Sequence, residues 1–248
     1  MTGSTARMLE AAHAALDWFY PPHCYNCGLV LTGTRGRLLC SACHNWLVQT
    51  RIIEPGCPIC GLPYEDAEPG APCVNCHARD PDFDVARAVF SYAGPVAPLI
   101  KAFKFEGEYF LGPLLLKDAF ASGWMPVELK DVDVVAPVPL HPRRERERGY
   151  DQAALLAGSL ARALGVPARR RALRRVRYTD QQALLPSQAR WENVRGAFEP
   201  GPHAVEGLKV LLADDVMTTG ATASECARVL KKAGAASVSV LTLARARP

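Results

Sequence analysis

Val210-Leu211-Leu212-Ala213-Asp214-Asp215-Val216-Met217-Thr218-Thr219-Gly220-Ala221-Thr222 is the stretch on which the reading of the fold turns. Val210 to Ala213 is an apolar run without polar alternation, the pattern of a parallel strand buried on both faces. Asp214 and Asp215 arrive where such a strand ends, at the edge of an open α/β sheet where ligands bind. Thr218, Thr219, Gly220, Ala221 and Thr222 are small and rich in hydroxyls, and they lead into a helical pattern through Ala223, Cys226, Ala227, Leu230 and Ala233. Backbone N–H groups of such a loop and helix start point at an anion, Gly220 permits close approach, and the threonines add donors. Carboxylates repel phosphate, so Asp214 and Asp215 suit ribose hydroxyls, or a Mg²⁺ ion bridging to them. Acid for hydroxyls beside a cradle for phosphate describes a holder of ribose 5-phosphate. The plainer reading, a strand followed by ordinary capping residues, needs neither two adjacent Asp nor five small residues in a row.

Upstream, Val132 to Val138 is a second buried strand that runs into Pro137-Val138-Pro139-Leu140-His141-Pro142, where prolines stop the sheet and stiffen the turn. Arg143, Arg144, Arg146 and Arg148 follow, and Gly149-Tyr150-Asp151-Gln152 opens a helix carrying Leu155, Leu156, Leu160 and Leu164. The stretch 210–222 resembles the motif with which type I phosphoribosyltransferases bind phosphoribosyl pyrophosphate (PRPP). The resemblance implies that Asp214 and Asp215 hold the ribose diol and that Thr218 to Thr222 hold the 5-phosphate. Pyrophosphate would lie on backbone N–H groups of Leu140 and His141, near Arg143 and Arg144, with Mg²⁺ bridging it to the ribose. In a working transferase the sugar carbon develops positive charge as pyrophosphate departs. Catalysis would then be electrostatic and positional, with Asp214 or Asp215 stabilising the cation.

The other end of the chain carries an internal repeat. Cys24, Cys27, Cys40 and Cys43 recur 33 residues later as Cys57, Cys60, Cys73 and Cys76, with Gly28 matching Gly61 and His44 matching His77. Two C-x2-C pairs a dozen residues apart bring four thiolates within tetrahedral reach of zinc, and the glycine allows the tight knuckle turn. A unit this short with few large apolar residues cannot fold on its own core, so two structural Zn²⁺ ions are expected to stabilise it. Disulfides suit a secreted chain, a redox C-x2-C would occur once beside a βαβ unit, and an iron–sulfur cluster is the remaining rival. Ligation within each repeat is the first choice, with interleaving between repeats left open. His23, His44 and His77 read as surface neighbours of sites already filled by sulfur.

Eight of the nine cysteines fall between positions 24 and 76, which divides the 248 residues into a Cys-rich region at 1–80 and an α/β domain at 81–248. Net charge is +4, yet the window from His141 to Arg195 holds 13 Arg and 5 acidic residues, a composition that binds phosphate of a nucleotide or a nucleic acid. No apolar run reaches the ~20 residues of a membrane span and no signal opens the chain, so a cytoplasmic protein without membrane insertion is expected.

Residues 8–20 have helical spacing, Val85 to Ala93 reads as a strand, Val96 to Phe105 and Leu111 to Phe120 as helices, and Ser237 to Ala244 as a closing strand. Lys101 and Lys104 read as solvated stems more than as phosphate ligands, and Arg245-Ala246-Arg247 as a frayed tail. Residues 166–199 read as a long Arg-laden loop, a candidate hood over PRPP in which Arg175, Arg177 and Arg190 meet pyrophosphate.

The cysteine repeat, Pro139-Leu140-His141, Arg148-Gly149-Tyr150-Asp151-Gln152-Ala153, and Arg177, Thr179, Gln181 or Gln182, Leu184, Arg190, Asn193, Gly196, Ala197 and Phe198 together resemble the ComF family. That family joins a double zinc ribbon to a type I phosphoribosyltransferase domain and is linked to DNA uptake in natural competence. The resemblance implies a PRPP-binding factor that contacts single-stranded DNA and works with a DNA-uptake helicase or recombination protein. Two other readings stand beside it: an active phosphoribosyltransferase on an unidentified acceptor, and a zinc-ribbon adaptor with a vestigial nucleotide site. Tyr150, Tyr178 and Trp191 are the aromatic candidates for stacking bases.

Overall fold

The computed structural model describes residues 21–31, 38–54, 56–63, 70–179 and 186–247. The helical pattern at 8–20 and the positions Gln181, Gln182 and Leu184 lie outside them. Each cysteine repeat closes on a short helix, α1 (Ser41–Gln49) in the first and α2 (Val74–Arg79) in the second. The knuckles repeat bond for bond. The Cys24 amide donates to Leu29 O and the Gly28 amide to Cys24 O, as Cys57 does to Leu62 O and Gly61 to Cys57 O.

The remaining chain builds β1 (Val85–Ser91), α3 (Val96–Phe105), α4 (Leu111–Ala121), β2 (Val134–Pro137), α5 (Pro142–Arg148), α6 (Gln152–Leu164), β3 (Leu173–Arg175), α7 (Ser187–Val194), β4 (Phe198–Pro200), β5 (Lys209–Met217), α8 (Ala221–Lys232) and β6 (Ser237–Arg245). Strands β1, β6, β5 and β2, in that order, form one all-parallel sheet. Its strands are buried on both faces, which is why their sequences do not alternate. Leu211, Ala213, Leu241 and Leu243 pack with α3, α4 and α6, while Val210, Leu212, Val238 and Val240 pack with α8.

The ribbons lie on opposite faces of that sheet. Cys24, Cys43 and Leu47 join the core beneath α3 and α4, whereas Cys57, Cys60, Cys73 and Cys76 join the core beneath α8. The chain between them and the second knuckle cover the edge of β1: the Ile52 amide donates to Val89 O (2.9 Å), and the Ala86 amide to Ile59 O (2.7 Å). An exposed parallel edge would leave these groups unpaired, so the linker removes an aggregation-prone rim.

Three expectations are corrected here. β5 continues through the acidic pair to Met217, because β6 pairs with it as far as Met217↔Arg245, although pairing with β2 stops at Ala213. Arg245 is not frayed: it ends β6 with its side chain 3% exposed. Segment 166–199 is not a bare loop either, since β3 and β4 form an antiparallel ribbon and α7 packs against α8. That segment is fastened by Arg177, which donates to Asn193 O (2.9 Å) and Arg195 O (2.8 Å), and by Glu225 of α8, which accepts the Gly196 amide (2.8 Å).

Candidate functional site

At the carboxyl ends of β2, β5 and β6 a cleft of about 300 Å³ opens between the acidic pair, the loop before α8 and the start of α5. This is the rim where parallel α/β sheets hold ligands, because strand ends and helix starts converge there. Asp214, Asp215, Thr218, Thr219, Gly220, Ala221, Thr222, Leu140 and Arg144 all line it. His141 and Arg143 do not line the cleft. The His141 ring caps α5, its Nδ1 accepting the Arg143 amide at 3.2 Å, and Arg143 pairs with Glu147 at 3.0 Å outside.

Gly220 precedes α8 at φ +83°, a left-handed conformation that glycine adopts without a side-chain clash, and it turns the loop into the helix start. Among the described residues no protein carbonyl accepts the amides of Thr219 or Gly220. The α8 N-terminus therefore presents donors and the positive end of a 12-residue helix to the cleft.

The acidic pair lines the same cleft as that loop. The Asp215 amide donates to Asp214 Oδ1 (2.8 Å), and Lys104 Nζ of α3 reaches Asp215 Oδ1 at 2.7 Å. Burial, and then the charge of Asp215, push the Asp214 carboxyl up to about 7, with Lys104 opposing the rise. Lys104 thus belongs to the cleft rather than to a solvated stripe, while Lys101 stays 70% exposed beside Glu106.

Three guanidiniums, those of Arg144, Arg148 and Arg175, share the cleft, and none has a carboxylate ion pair among the described residues. They bond to neutral groups: Arg144 to Thr179 O (2.9 Å), Arg148 to Gln152 Oε1 (3.0 Å) and Arg175 to the Thr179 hydroxyl. Burial, and then the charge of Arg144, lower the Arg175 pKa, and a buried Arg175 Nε has no partner. Guanidiniums bonded only to neutral groups draw an anion. Arg177 and Arg190 are absent from the lining.

Outside the cleft, Tyr178 keeps 44% of its surface exposed, with the guanidiniums of Arg143 and Arg144 at 5.0 and 5.2 Å from its ring and His141 edge-on at 5.2 Å. Tyr150 is taken up by packing on Phe103 and Tyr109, and Trp191 lies under Arg79. Of the three aromatic candidates, Tyr178 is the one framed by arginines.

The cysteines gather in two sets, Cys24, Cys27, Cys40, Cys43 and Cys57, Cys60, Cys73, Cys76, each with its sulfurs within 4.8 Å of one another. Ligation within each repeat follows. The Cys27–Cys40 and Cys60–Cys73 sulfurs stand 3.8 and 3.7 Å apart, against about 3.8 Å for the edge of a tetrahedron of ~2.3 Å Zn–S bonds. The donor sets therefore fit zinc, and neither His44 nor His77 belongs to them.

Sequence reasoning underrated Lys104, Glu225 and Arg245. The signal for the last was a buried strand pattern that does not stop before the arginine.

No helix among the described residues is long and apolar enough to cross a membrane. Residues 15–77 match the double zinc ribbon domain model and residues 151–248 the phosphoribosyl transferase domain model. Competence protein F of Haemophilus influenzae is 33% identical over 215 residues, covering 84% of this chain and 90% of the relative. DNA utilization protein YhgH of Escherichia coli K12 is 34% identical over 231 residues, covering 91% and 97%. The structure of glutamine PRPP amidotransferase from B. subtilis, complexed with ADP and GMP, matches with a TM-score of 0.36 and 28% identity over 53% of this chain and 26% of that one. With a double zinc ribbon, a phosphoribosyltransferase domain and relatives a third identical along nearly their whole lengths, the chain belongs to the ComF family of competence and DNA-utilization proteins.

Proposed function

We propose that the cleft binds PRPP, and that the protein serves DNA uptake or processing in natural transformation by coupling this ligand to single-stranded DNA. The 5-phosphate takes the amides and hydroxyls of Thr218 to Thr222, where the α8 N-terminus stabilises a dianion. Asp214 and Asp215 accept hydrogen bonds from the ribose diol, and the pyrophosphate turns toward Leu140, Arg144, Arg148 and Arg175. The observation that carries this reading is that the acid pair, the loop and three guanidiniums without a carboxylate ion pair among the described residues line one cleft. Mg²⁺, when bound with PRPP, would supply charge neutralisation between pyrophosphate and the diol. Lys104 already neutralises Asp215, and so limits repulsion between the acid pair and an anionic ligand.

DNA contact is supported by the names of the relatives and by Tyr178 with its two arginines, a stacking platform beside cations. A DNA-uptake helicase or recombination protein is the natural partner for a factor in that process.

Calorimetric titration with PRPP, with and without Mg²⁺, tests the ligand. Binding that weakens at least ~10-fold in Asp215→Ala supports the reading, given two or more lost hydrogen bonds of ~0.5–1.5 kcal/mol each. No heat with the wild type, or unchanged affinity in the variant, contradicts it. For DNA, Tyr178→Ala should cost ~1–3 kcal/mol of single-strand affinity while PRPP binding persists.

A further inference from the structure

One side chain bonds both to the second ribbon and to residues that line the cleft. Arg245 stands at the end of β6, in register with Met217 where β5 gives way to the anion loop. On one side its Nε donates to Cys60 O (3.3 Å) and its Nη2 to Cys60 Sγ (3.4 Å). On the other its Nη1 donates to Met217 O (3.1 Å), to Ala246 O (2.8 Å) and to Thr218 O. A guanidinium has five N–H donors in a rigid fork, so it can grip two separate segments at once and fix their spacing.

This cation is 3% exposed and has no carboxylate partner among the described residues. A buried charge without a counter-charge costs several kcal/mol. Four thiolates around Zn²⁺ carry a net charge of about −2, and Cys60 is one of them. The metal centre is therefore both a hydrogen-bond partner and the counter-charge for Arg245. Among the described residues the first ribbon has nothing comparable: Cys43 Sγ accepts from Asn26 of its own knuckle at 3.2 Å.

We infer that Arg245 makes the second ribbon a positioning element of the cleft. The arginine that grips the zinc ligand Cys60 also holds the carbonyls of Met217 and Thr218, so zinc in this ribbon sets the shape of the anion loop. The ligand of that loop is taken from the reading under Proposed function; the link itself is not. Metal in the first ribbon has no such effect. Coupling of this kind is reciprocal, so a phosphorylated sugar on the loop raises the zinc affinity of the second ribbon by the factor that zinc strengthens its binding.

The test uses the full chain with both zinc sites loaded, as wild type, Arg245→Met and Arg245→Lys. Amide hydrogen exchange is followed at Ser224 and Ala246, whose amides donate to Gly220 O and Met217 O at 2.9 Å each, and, as a control, at the strand interior, Leu211 and Val240. Arg245→Met is expected to speed exchange on the loop on the order of 10-fold, the scale for partners of metal ligands, while the interior stays protected. Arg245→Lys is expected not to restore it, because an ammonium cannot span both segments.

In the wild type, stepwise chelation should release a first zinc without change on the loop and a second together with loop opening. At equilibrium with the chelator, PRPP should raise the zinc affinity of the second site about 10-fold and leave the first alone. Loop exchange unchanged in a folded Arg245→Met, or full rescue by Arg245→Lys, overturns the inference. Should a variant not fold, the wild-type release decides: equal protection of both zincs by bound PRPP overturns the inference. If wild-type protein does not bind PRPP, the reading of the cleft fails, and the exchange result alone decides the link.

Discussion

The two ribbons arise from one repeat, yet they occupy unlike places. In the first, Cys27 is exposed and a Cβ on Gly28 would meet nothing within 4 Å. In the second, all four cysteines are buried, and a Cβ on Gly61 would stand 2.8 Å from Ala86 O of β1. The Cys57 sulfur also accepts amides from Cys60 and Cys73, at 3.4 Å each. Identical spacing of ligands therefore fixes the metal site but not its role. What a ribbon does depends on the face of the sheet it packs against, and the second packs against the face that carries α8 and its anion loop.

The largest expected contrast follows from metal. Cys57→Ser should lose one zinc and much of the cooperative thermal transition, since structural zinc supplies ~10 kcal/mol or more of folding free energy in a unit this size. Cys27→Ser should lose one zinc and leave the main transition near that of the wild type. Equal loss of stability in both, read by zinc content and thermal unfolding, would break the comparison.

The glycine contrast is smaller. Both Gly28 (φ +72°) and Gly61 (φ +65°) adopt left-handed conformations, so each change to Ala costs about 1 kcal/mol of backbone strain. Gly61→Ala should cost ~2–4 kcal/mol in all, because its new methyl also meets backbone that cannot rotate away. Denaturant midpoints of the two variants measure the difference.

A pH dependence sharpens the contrast between cleft and first ribbon. The Asp214 carboxyl lies near 7 when folded and near 4 when unfolded, so between those values the folded state binds the extra proton. Stability from this group is therefore greatest at low pH and falls as pH rises from about 4 to 7. Asp214→Asn should flatten that slope and raise Tm at pH 8 by about 2–4 °C for each kcal/mol of charge cost relieved. Zinc loss from the first ribbon should not change. A Tm that drops at pH 8 in this variant would show that the charged carboxylate stabilises the fold.

Least of all is expected from the first ribbon's tether. Arg51 pairs with Asp118 at 2.6 Å, a bond whose acid is 41% exposed, so Arg51→Gln should cost ~1 kcal/mol and leave PRPP binding unaltered.

Local pattern carried much of this architecture. The apolar run at 210–213, the helix at 96–105 and the cysteine spacing were legible because each element's period or ligand spacing is written within a few residues. Leu140, Arg144, Asp214, Asp215 and Thr218 to Thr222 line one cleft. What stayed hidden depends on partners distant in the chain. Arg245 and Cys60 are 185 positions apart and Lys104 and Asp215 are 111 apart, so a lysine on an amphipathic helix and an arginine near a strand end look like solvated charges. His141 has a local use that its place in the proline turn does not announce: its ring caps α5. The ribbon of β3 and β4 was illegible because three-residue strands carry too little pattern to register.

The most direct measurement is the electron density of crystals soaked with PRPP and Mg²⁺. The 5-phosphate is expected on the amides of Thr218 to Thr222, the ribose hydroxyls on Asp214 and Asp215, and pyrophosphate toward Arg144 and Arg175. Density confined to the arginines, with the acid pair and the loop left untouched, would contradict it.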